Sequence, residues 1–127
     1  MAIQVYLCDD VPALRLVLRT VLELDGDVEI VGESGDGRTA LEDLARLRPD
    51  VLVLDLSLPE LDGLEVLEEL SARSPETRVV VFSGYPERQL GDAARRRGAR
   101  RYIEKGTDVE LVARYVREVA QEAACRP

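Results

Sequence analysis

The 127-residue sequence predicts an α/β fold, a doubly wound parallel sheet of five strands in the order 2-1-3-4-5 with five helices. Short apolar runs alternate with helical periodicity along the whole chain, the signature of repeated βα units. The third and fourth runs, Val51-Leu52-Val53-Leu54 and Val79-Val80-Val81-Phe82, are continuously apolar, as strands covered by helices on both faces are. The second run alternates, and the fifth carries Arg100, Arg101 and Glu104 around its apolar pair, so both belong at sheet edges. That order puts a topological switch point between strands one and three, with a crevice beyond the strand ends.

Residues 3–8 read as the first strand. Leu14, Leu18, Val21 and Leu22 then share one face of a helix, with Asp10 as its N-cap and Pro12 in its first turn. A short alternating strand at 28–31 is followed by Gly-rich punctuation. The second helix runs through Leu41, Leu44, Ala45 and Leu47 and is stopped by Pro49. The third strand is 51–54 and the third helix spans about Leu64 to Ala72. Residues 78–82 form the fourth strand, 87–97 the fourth helix and 100–103 the fifth strand. The last helix uses Leu111, Val112, Tyr115, Val116 and Val119.

The length suits one domain, 1–127, with a core at about 3–122 and a tail at about 123–127. Such a chain buries enough surface to fold without disulfides or a structural metal. Cys8 and Cys125 read as reduced thiols of a cytosolic protein. No run is long enough for a membrane span and no signal-peptide core precedes the first strand, so a cytoplasmic location without membrane contact is expected. The formal charge of −8 argues against nucleic-acid binding by the domain as a whole. Arg95, Arg96, Arg97, Arg100 and Arg101 form a local basic cluster, read either as a solvated helix end and loop or as a docking patch for an acidic partner. All of the 17 basic residues except Lys105 are arginine, which suggests a position that wants a compact point charge.

The chemistry gathers where the strands end. Asp9 and Asp10 follow the first strand, Asp55 the third and Ser83 the fourth, while Lys105 lies just past the fifth. Clustered carboxylates stay ionised when a cation sits among them, and oxygen-only ligands select a hard ion such as Mg2+. One carboxylate can then act as nucleophile toward phosphorus, with Ser83 and Lys105 contacting phosphoryl oxygens. Gly84 leaves room for that group. Taken singly, Asp10 is also suited to capping a helix, Ser83 to satisfying a strand end and Lys105 to the surface. Asp55, closing the most apolar strand, needs compensation for its charge.

With these residues the chain resembles the receiver domain of two-component response regulators over essentially its whole length. The motifs are Asp9-Asp10, the stretch from Val51 through Asp55 to Asp62-Gly63, the pair Ser83-Gly84, and Gly98 to Lys105. The resemblance implies a flavodoxin-like fold and phosphoryl transfer from a sensor histidine kinase to Asp55. It implies Mg2+ held by Asp10, Asp55 and the backbone carbonyl of Ser57, with Asp9 acting through water. Ser83 and Lys105 would contact the phosphoryl group, and Tyr102 would change rotamer as Ser83 moves. The alternative for Tyr102 is an edge-strand ring packed permanently on its neighbours. Val28 to Gly37 is similar to the receiver half of NarL/FixJ-type regulators, which continue into a DNA-binding helix-turn-helix. A stand-alone receiver acting on a downstream protein partner and a fragment missing its output domain are both expected readings. Gly106 departs from the family, where proline commonly follows the lysine.

The resemblance further implies a switch in the face built from the fourth helix, fifth strand and fifth helix, a face also suited to a homodimer. The fourth helix has a thin apolar side, mostly Leu90, Ala93 and Ala94, which predicts low local stability. Tyr85 is expected to overhang the pocket and hinder hydrolysis of a phosphoaspartate, or else to be an ordinary exposed loop tyrosine. A competing class, the Mg2+-dependent phosphohydrolases of the haloacid dehalogenase type, wants an aspartate two residues after the nucleophile, where this chain has Ser57. A phosphorylation-independent interaction module is a third reading.

Overall fold

The computed structural model describes residues 2–124; Cys125 and the remainder of the expected tail lie outside the described residues. The elements follow one another as β1 (Ile3–Cys8), α1 (Pro12–Glu23), β2 (Val28–Ser34), α2 (Gly37–Leu47), β3 (Val51–Leu54), α3 (Gly63–Arg73), β4 (Arg78–Ser83), α4 (Glu87–Arg96), β5 (Ala99–Glu104) and α5 (Glu110–Ala124). The strands pair in parallel as β2-β1-β3-β4-β5, the order the sequence predicts.

Side chains alternate across a strand, so each apolar run feeds two cores. Val5, Leu7, Val51, Val53, Val80 and Phe82 face Leu18 and Leu22 of α1 and Val112, Val116 and Val119 of α5. On the other side Tyr6, Leu52, Leu54, Val79 and Val81 pack against Leu41 and Leu44 of α2, Val66, Leu67 and Leu70 of α3, and Ala94 of α4. Every residue of β3 and β4 is buried, whereas the edge strands β2 and β5 each keep partly exposed positions.

Several local expectations are corrected. Asp10 does not cap α1: the N-cap is Val11, without a side-chain cap bond, and the Val11 N–H donates to Asp9 Oδ1 at 2.9 Å. The turn thus engages one carboxylate oxygen of Asp9 and leaves Asp10 exposed beside the crevice. Strand β2 continues past residue 31 to Ser34, pairing with Tyr6 to Cys8 after a register shift. Gly32 is therefore not turn punctuation. A Cβ there would come within 2.9 Å of Tyr6 Cε2, so glycine makes room for a ring whose hydroxyl donates to Asp43 at 2.6 Å. Ala45 is exposed, and α2 ends at Arg48 in the left-handed region (φ 46°) before Pro49 is reached. The basic cluster is largely consumed by ion pairs: Arg95 with Glu87, Arg97 with Glu68, Arg100 with Glu122, and Arg101 with Glu118 and Glu122. Arg100 and Arg101 lie in β5, as the strand reading of 100–103 has them.

Candidate functional site

The register of the central strands builds the site. Cys8 of β1 is aligned with Leu54 of β3, and the Asp55 N–H donates to the Cys8 carbonyl at 2.9 Å, so Asp9 and Asp55 emerge side by side. Arg15, which the sequence reading did not single out, donates from Nη1 to the Asp9 carbonyl at 2.5 Å and braces that end of β1. No sequence motif marks it, because its partner at the site is a backbone atom, while its Nε pairs with Glu33 of β2 at 2.8 Å. On the other flank the Lys105 N–H donates to the Ser83 carbonyl at 2.7 Å, fixing the segment after β5 beside the end of β4.

These placements bring carboxylate oxygens of Asp9, Asp10 and Asp55 within 4.8 Å of one another. Asp9 and Asp55 are buried, while Asp10 is exposed. The Lys105 ammonium reaches both buried partners, at 2.8 Å from Asp9 Oδ2 and 3.1 Å from Asp55 Oδ2. The other oxygen of Asp55 accepts the Ser57 N–H at 3.0 Å. Burial pushes the Asp55 carboxyl above the usual range, opposed by the Ser57 N–H and by Lys105. Burial works against the charge on Lys105, but its bond to Asp9 and the field of Asp55 outweigh it and hold the ammonium above its ordinary value.

The loop that carries Asp55 is held from behind by α3. Asp62 caps that helix by accepting the Glu65 N–H at 3.1 Å, and the Gly63 N–H donates to the Leu56 carbonyl at 3.1 Å. A Cβ on Gly63 would lie 2.5 Å from Leu56 Cα and 2.7 Å from the Asp55 carbonyl, so a glycine is required for this approach. The motif Asp62-Gly63 is therefore a support for the acidic loop.

Ser83 is fully buried, and its Oγ accepts the Tyr85 N–H at 3.2 Å. Tyr102 is buried as well, with its hydroxyl donating to the Tyr85 carbonyl at 2.7 Å. The backbone of Tyr85 thus joins the two residues. Its ring is 41% exposed and, with Ser57 and Gly84, lines a hollow of ≈240 Å³. The donor set is all-oxygen, compact and acidic, which fits a hard divalent cation.

Fold and site together define a flavodoxin-like α/β domain with an acidic pocket, bridged by one ammonium, at its switch point. The chain belongs to the response regulator receiver domain family, whose model matches residues 5–117. It is 33% identical over 116 residues to the nitrate/nitrite response regulator protein NarL of Escherichia coli (strain K12), covering 91% of this chain and 54% of that protein. Identity is 45% over 106 residues to protein-glutamate methylesterase/protein-glutamine glutaminase 5 of Myxococcus xanthus, with 83% of this chain and 30% of that protein covered. The signal receiver domain of the putative response regulator NarL from Mycobacterium tuberculosis superposes with a TM-score of 0.88 at 31% identity, covering 94% of this chain and 97% of that one. The chain spans about a third to a half of the length of most of the curated relatives it matches first (33%, 30%, 50% and 54%).

As a receiver, the domain presents an acidic cluster positioned to bind a divalent cation and accept a phosphoryl group. No helix among the described residues is long and apolar enough to cross a membrane.

Proposed function

We propose that Asp55 is the phosphoacceptor and that the cation is Mg2+, held by Asp10, Asp55 and the Ser57 carbonyl, with Asp9 contributing through water. Bound there, the ion supplies charge neutralisation between the carboxylates and the incoming phosphoryl oxygens. An Asp55 oxygen attacks the phosphorus of a kinase phosphohistidine; the new P–O bond forms as the P–N bond breaks, and the imidazole nitrogen leaves with the electron pair. Lys105 has three N–H donors, two of them engaged by Asp9 and Asp55, so the third remains for a phosphoryl oxygen. Ser83 accepts from the Tyr85 N–H and still has its own O–H to donate toward the same group.

The observation that carries this reading is the short bridge from Lys105 to both Asp9 and Asp55. Movement of Ser83 toward the phosphoryl group releases the Tyr85 N–H, and with it the hold of Tyr85 on Tyr102, shifting the face of α4, β5 and α5. That face then engages a downstream partner, an output domain or a second copy of the chain. A sensor histidine kinase is the donor, and Val11, Leu16 and Val17, exposed at 44%, 64% and 44%, offer it an apolar contact surface beside Asp10. Residues 3–122 form the receiver core, and the compartment is the cytoplasm, where such kinases present their phosphohistidine.

Incubation with a small phosphodonor and Mg2+, followed by intact mass analysis, tests the reading. Wild type is expected to gain one stable phosphoryl group and Asp55→Ala none. Rapid turnover of the donor would instead identify a phosphohydrolase, and absence of both adduct and turnover an interaction module.

A further inference from the structure

The acidic pocket has a cationic neighbour whose ion pair lies elsewhere. The side chain of Arg15 is 17% exposed, and its Nη1 donates to the Asp9 carbonyl at 2.5 Å. A Cβ built on Gly35 would lie 3.4 Å from that Nη1, 3.6 Å from Asp10 Cα and 3.8 Å from the Asp9 carbonyl oxygen, so the guanidinium stands against the loop that carries both carboxylates. Its Nε nevertheless pairs with Oε1 of Glu33 in β2, at 2.8 Å. A guanidinium this close to a carboxylate cluster competes for the place of a metal cation. Lys105 answers one of the three carboxylate charges; a second cationic side chain seated on them would halve the remaining charge, and with it the pull on a divalent ion.

Glu33 holds that guanidinium in place. It is aligned with Leu7 of β1, two residues before Asp9, which sets its carboxylate beside the pocket but on the next strand. One oxygen takes Arg15 and the other takes Arg19, a turn farther along α1. Like charges at i and i+4 destabilise a helix, and a shared anion between them removes that cost. The bonds from Arg19 and Arg15 hold the Glu33 carboxyl below the usual range, so it stays ionised at neutral pH. Glu33 and Arg19 are 30% and 36% exposed, so the group contributes fixed geometry more than stability. A tie between α1 and β2 is supplied by Arg19 alone; it does not account for Arg15, whose other bond is to the backbone of Asp9.

We propose that Glu33 is a positioning residue for the divalent-cation site: it fixes the Arg15 guanidinium on the Asp9 backbone and keeps it off the carboxylates of Asp9 and Asp10. This role rests on the reading of Asp10, Asp55 and the Ser57 carbonyl as the Mg2+ site. In Glu33→Gln the guanidinium loses its carboxylate partner and turns to the exposed Asp10, from which Mg2+ then has to displace it. The full chain and its Glu33→Gln, Arg15→Gln and doubly substituted variants are titrated with MgCl2 at constant ionic strength, with amide shifts at residues 9, 10 and 55–57 followed by NMR. Glutamine matches glutamate in shape at this partly exposed position, so wild-type amide dispersion is expected in all of them. Glu33→Gln should weaken Mg2+ binding about fivefold, the fold-change of about 1 kcal/mol of competing surface ion pairing. Arg15→Gln removes the competitor and should bind within about twofold of wild type, and the double variant should bind as Arg15→Gln does. A contact that only supports the loop would instead leave all three variants equally weak. Glu29→Gln, the same charge change at an exposed position of β2, should bind as wild type does. The proposal is overturned if Glu33→Gln binds as wild type does, if Glu29→Gln weakens binding equally, or if the double variant binds no more tightly than Glu33→Gln. Absence of saturable shifts in the wild type would overturn the Mg2+ reading together with it.

Discussion

Tyr85 concentrates the consequences at the scale of single residues. Its N–H is held by Ser83 Oγ and its carbonyl by the Tyr102 hydroxyl, so the backbone is clamped while the ring stays 41% exposed at the mouth of the pocket. Truncating the ring leaves both backbone bonds in place and removes only the cover. Tyr85→Ala is therefore expected to shorten the lifetime of the phosphoaspartate severalfold without reducing the yield of phosphorylation, followed by the decay of the mass adduct; an unchanged lifetime would show that the ring does not hinder water. Gly106 carries a different constraint. Its φ of +98° lies in the left-handed region, and the Thr107 N–H closes the turn onto the Glu104 carbonyl at 3.2 Å. Proline, held near −65°, cannot take that conformation, so a proline here rebuilds the loop that aims Lys105. An alanine Cβ would meet nothing within 4 Å, and its cost is only the left-handed penalty of about 1–2 kcal/mol. Urea unfolding should rank wild type above Gly106→Ala and that above Gly106→Pro, and phosphorylation should slow markedly only in the proline variant.

Among the elements, α4 is the weakly held one. Only Gly91 and Ala94 are buried in it, with Leu90 partly so, and its N-cap Pro86 supplies no side-chain bond. By contrast α5 buries Val112, Val116 and Val119, each worth about 1.5–3 kcal/mol if fully removed from water. Amide exchange should therefore be fastest in α4 among the five helices, and phosphorylation should alter protection chiefly from Glu87 to Glu104. Strongest protection in α4 would remove it from the switch. How far the elements were legible follows the same physics. Strands β3 and β4 are plain because burial on both faces makes their runs Val51-Leu52-Val53-Leu54 and Val79-Val80-Val81-Phe82 continuously apolar. The far half of β2 was not, since Gly32 looks like a turn residue until the Tyr6 ring across the strand is known. The start of α1 departs from expectation because neither aspartate caps it: Val11 is the N-cap without a side-chain bond, and Asp9 ties only the turn before it. The acidic pocket was legible from strand ends alone, as parallel strands in a given order must bring those ends together. Its supports were not: Arg15 and Gly63 act through backbone atoms that no side-chain pattern reports.

For the whole molecule, the pocket acts as a tie across the sheet. Asp9 and Asp10 leave β1, Asp55 leaves β3 and Lys105 follows β5, so three carboxylates and one ammonium join strands distributed across both halves of the fold. The single ammonium leaves the cluster with excess negative charge, and the burial of Asp55 makes that excess costly. A divalent cation removes the cost only where the three carboxylates converge, which is in the folded state. If Mg2+ binds as proposed, global stability is expected to depend on the ion: at Mg2+ concentrations about 100 times the dissociation constant, a gain of about 2.7 kcal/mol is expected. Urea unfolding with Mg2+ and with EDTA at matched ionic strength should show that difference as a shifted midpoint with unchanged slope, since the surface exposed on unfolding is the same. Asp10 is exposed and contributes nothing to the core, so Asp10→Asn should fold normally yet lose most of the Mg2+-dependent gain. A full gain in Asp10→Asn would place the ion elsewhere, and a gain reproduced by sodium at the same ionic strength would reduce the effect to screening of surface charge.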